Sequence, residues 1–137
     1  MHTIIRRFSS LVFIFAVAIL ALSAPAAAQT KWGALAYNDR GATSTVWNSP
    51  SEEQAQERAL TGCRENATVP CRVLSGADHA CLAASLGNKG NQQKAFAEAR
   101  VGLNQARNAA LAICARGGFD DCRIRNFMCA DGSHRKE

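Results

Sequence analysis

The sequence is poor in the side chains that most often carry chemistry. Histidine occurs three times in 137 residues, tyrosine once and tryptophan twice. His2 belongs to the leader, which leaves His79 at a turn beside Asp78 and His134 among Arg135 and Lys136 near the end of the chain. A serine nucleophile needs a base and an orienting partner, and no serine here stands in such a setting. The six cysteines include no pair at C-x-x-C spacing and no mixed Cys and His cluster, so a zinc site has no ligand set to draw on. No catalytic residue, metal site or cofactor is therefore assigned. Asp39, Asp78, Asp120, Asp121 and Asp131 fall at expected turns, where short carboxylates bond to nearby amides.

Charge excludes a further class. The chain carries a formal +5, and removal of a leader holding Arg6 and Arg7 but no acid lowers this to +3. So mild an excess gives no reason to invoke nucleic acid, whose recognition rests on dense cationic surfaces. The leader itself has three parts: a basic start at Arg6-Arg7, an unbroken apolar run from Leu11 to Leu22, and the small residues Ser23 to Ala28. That is the plan of a secretory signal peptide over residues 1–28, with cleavage after Ala26-Ala27-Ala28. The apolar run is shorter than the roughly 20 residues a membrane helix needs, so no stable membrane insertion is expected after cleavage. The remaining 29–137 is long enough for one small domain, placed at residues 29–130 with a flexible tail over 131–137.

What the chain does have is cysteine and internal symmetry. Ala55, Ala59, Leu60, Cys63, Cys71 and Arg72 recur 51 residues later as Ala106, Ala110, Leu111, Cys114, Cys122 and Arg123. A constant offset of this size marks a duplicated supersecondary unit, with copies at about 32–80 and 81–129. All six cysteines follow the leader, and an even count in a small exported domain signals a disulfide framework. The symmetry selects one pairing from the many possible: Cys63 with Cys71, Cys114 with Cys122 at the same separation, and the remaining Cys81 with Cys129.

Local signals fill in each copy. Trp32-Gly33-Ala34-Leu35-Ala36-Tyr37 reads as a strand, Asn38-Asp39-Arg40-Gly41 as a turn, and Ala42 to Asn48 as a second strand. Ser49-Pro50-Ser51-Glu52 reads as a helix start capped by Ser49 with Pro50 at the first helical position. The helix runs to Cys63 on a stripe of small residues, and Cys71 to Ser75 returns as a strand. In the second copy His79 to Leu86 is a strand, and the repeat predicts another at Gln92 to Arg100 although its composition favours helix. Asn104 is the expected cap of the second helix, which is followed by a last strand from Cys122 to Cys129. The fold class is thus α+β, two ββαβ-like repeats forming an antiparallel sheet with two helices packed on one face.

Some residues stand out as candidate binding groups. Alternation places Arg123 and Arg125 on one strand face, where with Arg72 they could form an anion patch; the alternative is a solvated sheet face. Trp32 and Trp47, with Tyr37, occur only in the first copy, and are either core or an exposed aromatic strip. Asn66-Ala67-Thr68 fits a glycosylation sequon.

The Trp32-to-Ala36 run, the Ala-rich helix ending in Cys63, Cys71-Arg72-Val73, Cys81-Leu82-Ala83, the second Ala-rich helix ending in Cys114, and Cys129 resemble the domain of unknown function family 4189. The resemblance spans Trp32 to Cys129 and implies a small exported, disulfide-paired α+β domain. It implies no activity and no catalytic residues.

Two functional readings follow from the sequence. The first is a secreted or periplasmic binding or interaction module, for instance an inhibitor or immunity-type partner of another exported protein, or a module engaging an envelope component. The second is a small envelope-acting hydrolase using His79 and turn carboxylates; the missing catalytic set favours the first. The exported form is expected to begin at Gln29 and to contain no free thiol. Intact-mass measurement before and after alkylation of the unreduced protein checks both, and a mass retaining the leader or any alkyl adduct contradicts them.

Overall fold

The computed structural model describes residues 27–135, so residues 1–26 of the expected leader lie outside the described residues. Trp32–Tyr37 forms β1 and Thr43–Ser49 forms β2. Gly41, in the turn between them, has φ 84°, a conformation that glycine reaches without the steric cost of a Cβ. Then come α1 (Glu52–Arg64), β3 (Arg72–Ala77), β4 (Ala80–Lys89), β5 (Gln92–Val101), α2 (Leu103–Arg116) and β6 (Asp120–Cys129). Each half of the chain therefore runs strand, strand, helix, strand.

The helix caps differ from the sequence expectation. Ser51, not Ser49, caps α1, its Oγ accepting from the Gln54 amide at 3.3 Å. Ser49 instead ends β2 opposite Trp32 and is buried. Pro50 lies outside the helix, and Glu52 serves at its first turn by accepting from Ser75 Oγ of β3 at 2.5 Å and from Gln56 Nε2 at 3.1 Å. In α2 the cap is Gly102 at φ 100°, with no side-chain cap bond, and Asn104 falls inside the helix.

The α+β class holds, but its layout is two sheets rather than one. One sheet has the order β2-β1-β3 and the other β5-β4-β6, both antiparallel. The helices also do not share a face. On the first sheet, Ala34, Ala36 and Val46 meet Ala55, Ala59 and Cys63 of α1. On the second, Cys81 and Ala83 meet Ala106 and Ala110 of α2. Residues of opposite parity on the same strands, Leu35, Leu82, Ala84 and Met128, pack between the sheets with Trp47, Leu74, Ala97 and Ala99. Four layers result: helix, sheet, sheet, helix. The central strand of each sheet has both faces covered, which is why Ala34 to Ala36 and Cys81 to Leu86 are buried without interruption.

Small side chains set the spacing of these layers. A Cβ on Gly33 would overlap Met128 Cε and stand 2.8 Å from Ala130 Cα, so β1 and β6 approach as closely as they do only because that position is bare. On the helix side, Ala55 and Ala59 of α1 and Ala106 and Ala110 of α2 are fully buried. Ser85 is the polar member of the second helix-facing row, and its hydroxyl donates to the Ala110 carbonyl at 2.7 Å, which removes the cost of burying it. β5 pairs with β4 along its whole length. Its alanines 95, 97 and 99 fit the thin space between the sheets, and this tertiary fit overrides the helical preference of its composition.

Three disulfides fasten the layers. Cys63–Cys71 and Cys114–Cys122 each join a helix end to the following strand, with Cα atoms 6.3 and 6.0 Å apart. Cys81–Cys129 joins residues directly opposite each other on β4 and β6. Past β6 the chain turns back through residues 131–135, the stretch expected as a flexible tail. The Ala130 amide donates to the Ala80 carbonyl at 2.8 Å and the Asn48 amide to the Ala130 carbonyl at 2.9 Å. Arg135 lies over the Trp47 ring, 5.0 Å from its centroid.

Replacing Gly33 by Ala is expected to cost about 1–3 kcal/mol through overpacking between the sheets, read as a lower urea midpoint at unchanged slope. Removing Cys81–Cys129 is expected to cost more than removing either short bridge. Closing a loop of 48 residues restricts the unfolded chain by about 4 kcal/mol, against about 2.5 kcal/mol for a separation of eight. Paired Cys→Ala variants compared in urea give that ordering directly.

Candidate functional site

The loops at one end of the sandwich converge on the turn between β1 and β2. Asn38, at its start, is buried and organises it. The Asn38 carboxamide oxygen accepts from the amides of Arg40 and Ala42 at 3.0 Å each. The carboxamide nitrogen donates to the Val69 carbonyl at 3.2 Å, fixing the turn against the α1–β3 loop. Asp39 then reaches into the other half of the chain. Its Oδ1 accepts from the Ala95 amide of β5 at 2.9 Å and from Arg72 Nη2 of β3 at 2.5 Å. Arg72 also donates to the Ala95 carbonyl at 3.0 Å and lies over the Tyr37 ring.

The other side of the turn is held by β6. Its register shifts between Ala84 and Ser85 of β4, Ala84 standing opposite Asn126 and Ser85 opposite Ile124, which makes a bulge at Arg125. This bulge re-aims successive side chains. Arg125 Nε donates to the Gly41 carbonyl at 2.9 Å and Asn126 Nδ2 to Thr43 Oγ1 at 3.1 Å.

Two open, polar depressions lie beside the turn and meet at Arg40. The first, about 480 Å³, is walled by Asp39 and Arg40, by Asn91 and the first residues of β5, Gln92, Gln93 and Lys94, and by Phe119 of the α2–β6 loop. The second, about 430 Å³, runs from residues 40–43 to Asn66, Thr68 and Arg125. Arg40 and Lys94 are exposed, and neither is in an ion pair among the described residues. The two volumes lie within the range of small-ligand sites, about 300–1,000 Å³, but the walls are amides, hydroxyls and charges rather than apolar side chains.

The candidate residues read from the sequence are dispersed. Arg72, Arg123 and Arg125 do not form one patch. Arg72 is engaged by Asp39, Arg123 is exposed on β6 and walls neither depression, and Arg125 alone faces the second. Trp32 packs against the α1 layer and Trp47 against the layer between the sheets. They therefore occupy opposite faces of one sheet and make no common strip. The lining residues of the first depression that sequence reasoning missed as candidates are Arg40, Lys94, Phe119 and residues 91–93. The available signal was that Asn38-to-Gly41 and Asn88-to-Asn91 each join the first two strands of a half with the same element order, and so fall at the same end.

At the opposite end, His79 shares a third depression, about 430 Å³, with Asp78, Asp131 and residues 28–31. Both carboxylates are already used as turn acceptors. Asp78 takes the Lys31 amide at 3.1 Å and Asp131 the Ser133 amide at 2.9 Å. Hydrogen bonds from the Ser133 hydroxyl and then its amide hold the Asp131 carboxyl below its ordinary value, with the nearby His79 charge adding a little. A carboxylate kept ionised in this way is a poor proton donor. Among the described residues no group of three or more His, Cys, Asp or Glu is placed to hold a metal ion. Among them, too, no helix is long and apolar enough to cross a membrane.

No curated protein and no solved structure matches the chain. A family model does, over residues 32–129, from the first residue of β1 to the last of β6, and its description is a domain of unknown function. With both sheets, both helices and all three disulfides inside that span, the chain belongs to the DUF4189 family.

Proposed function

We propose that the protein is an exported binding module that engages an envelope component or another exported protein through the loop end of its sandwich. The observation that carries this reading is the pair of polar depressions meeting at Arg40, with Lys94 and Arg125 at their outer walls. Four loops from both halves of the chain supply this surface, while the strands beneath are locked by disulfides. That is how a rigid scaffold usually presents a recognition surface. Three disulfides fit an oxidising, non-cytoplasmic compartment. Together with the leader sequence they support secretion to the periplasm or beyond. The cations give the ligand its sign, because exposed guanidinium and ammonium groups such as those of Arg40 and Lys94 at a concave surface favour carboxylates or phosphates.

The mature protein is expected to co-sediment with isolated, insoluble envelope material. The Arg40→Glu/Lys94→Glu double variant should lose most of that retention while keeping the wild-type melting temperature. Retention unchanged in the double variant contradicts the placement of the surface, and no retention of the wild-type protein contradicts the envelope reading.

A further inference from the structure

The composition of the depression walls says more than their charge, and the argument rests on the binding surface just described. The first depression is lined by Asn91, Gln92 and Gln93, by the acid Asp39 and by two cations, Arg40 and Lys94, with Phe119 supplying the apolar surface. An amide offers a donor pair and an acceptor, the pattern that adjacent hydroxyl groups on a sugar ring satisfy. Phe119 adds apolar surface against which the C–H groups of the same ring can pack. The second depression repeats the mixture, with Asn66, Thr43 and Thr68 beside Arg40 and Arg125. Two subsites, each pairing hydroxyl-binding groups with a cation and sharing Arg40, match a chain of rings that carry acidic groups.

We infer that the loop end binds a carboxylated glycan, with pyranose hydroxyls on the amides of residues 91–93 and ring carboxylates on Arg40 and Lys94. An acidic peptide fits less well. Protein partners are held mainly by buried aromatic and aliphatic anchors, and Phe119 is the one large apolar side chain in either wall. The cations are also too few, and share their depression with Asp39, for a polyanion bound by charge alone. Gln93 is partly committed already, its Nε2 donating to Asn88 Oδ1 at 3.3 Å, which holds its carboxamide in place before a ligand arrives. Asp39 uses one carboxylate oxygen to join the two halves, and its other oxygen has no hydrogen bond among the described residues.

The test is calorimetric titration of the full mature protein with oligogalacturonate, its fully methyl-esterified counterpart, and oligoglutamate of matched charge, each at low and physiological salt. Oligogalacturonate is expected to bind, and its methyl ester to bind at least about tenfold more weakly, the loss that goes with one charge-assisted hydrogen bond. Arg40→Glu and Lys94→Glu should each weaken binding by a similar factor. Asn91→Ala/Gln92→Ala, which keeps every charge, should weaken oligogalacturonate and leave oligoglutamate unaffected. Melting temperatures of all variants establish that they are folded. Equal or tighter binding of oligoglutamate overturns the glycan assignment and leaves the binding-module reading standing. Binding of none of the three, with envelope co-sedimentation intact, does the same. Loss of co-sedimentation in the wild-type protein as well removes the underlying reading.

Discussion

One carboxylate oxygen ties the two halves of this molecule together at the end where its loops converge, beside bonds from Arg72, Arg125 and Asn126. Asp39 stands in a turn of the first sheet, yet it accepts from the backbone of β5 in the second and from Arg72 on β3. With Arg125 donating to Gly41 from β6, the β1–β2 turn is gripped by three strands besides those it connects. Both depressions are built on that turn, so their shape is set by the docking of the halves rather than by either half alone. A half exposed without its partner would keep its helix and its short bridge but lose one wall of each depression. The Arg72–Asp39 pair is about half exposed, and such a pair alone contributes little to stability. Its value is positional: with the Ala95 backbone at both its amide and its carbonyl, it fixes how the sheets are stacked.

The packing around this turn uses small residues to an unusual degree. Helix-to-sheet contacts rest on pairs of alanines and one cysteine per helix, and the space between sheets holds Leu35, Leu82 and Met128 as its only fully buried large side chains among the described residues. Apolar burial stabilises roughly in proportion to area, so an alanine-lined core contributes less than the same number of leucines would. Disulfides compensate by restricting the unfolded chain. The thin layers have a geometric return, because they bring four loops within reach of one another.

Much of the architecture was legible in the residues, and what was not has identifiable causes. The 51-residue offset gave both helices, their alanine stripes and the equivalent eight-residue cysteine separations. It also favoured a strand at Gln92, where local composition pointed the other way. The second sheet was missed because alternation was read as one buried face. Yet Gly33-Ala34-Leu35-Ala36 and Cys81-Leu82-Ala83-Ala84 are apolar at consecutive positions, the mark of a strand covered on both sides. Ser49 was mistaken for the cap because Ser49 and Ser51 both precede acidic residues, and the choice is decided by the burial of Ser49 against Trp32. The arginine patch failed for a different reason: a bulge at Arg125 changes which side chains share a face, and bulges leave no mark in a simple alternation.

The two short disulfides enclose more than strand and helix ends. Asn66 and Thr68 lie within the ring closed by Cys63 and Cys71, and Phe119 within the ring closed by Cys114 and Cys122. A protease that nicks either loop therefore opens a macrocycle without freeing a fragment, and the severed ends stay tethered beside the surface they helped to form.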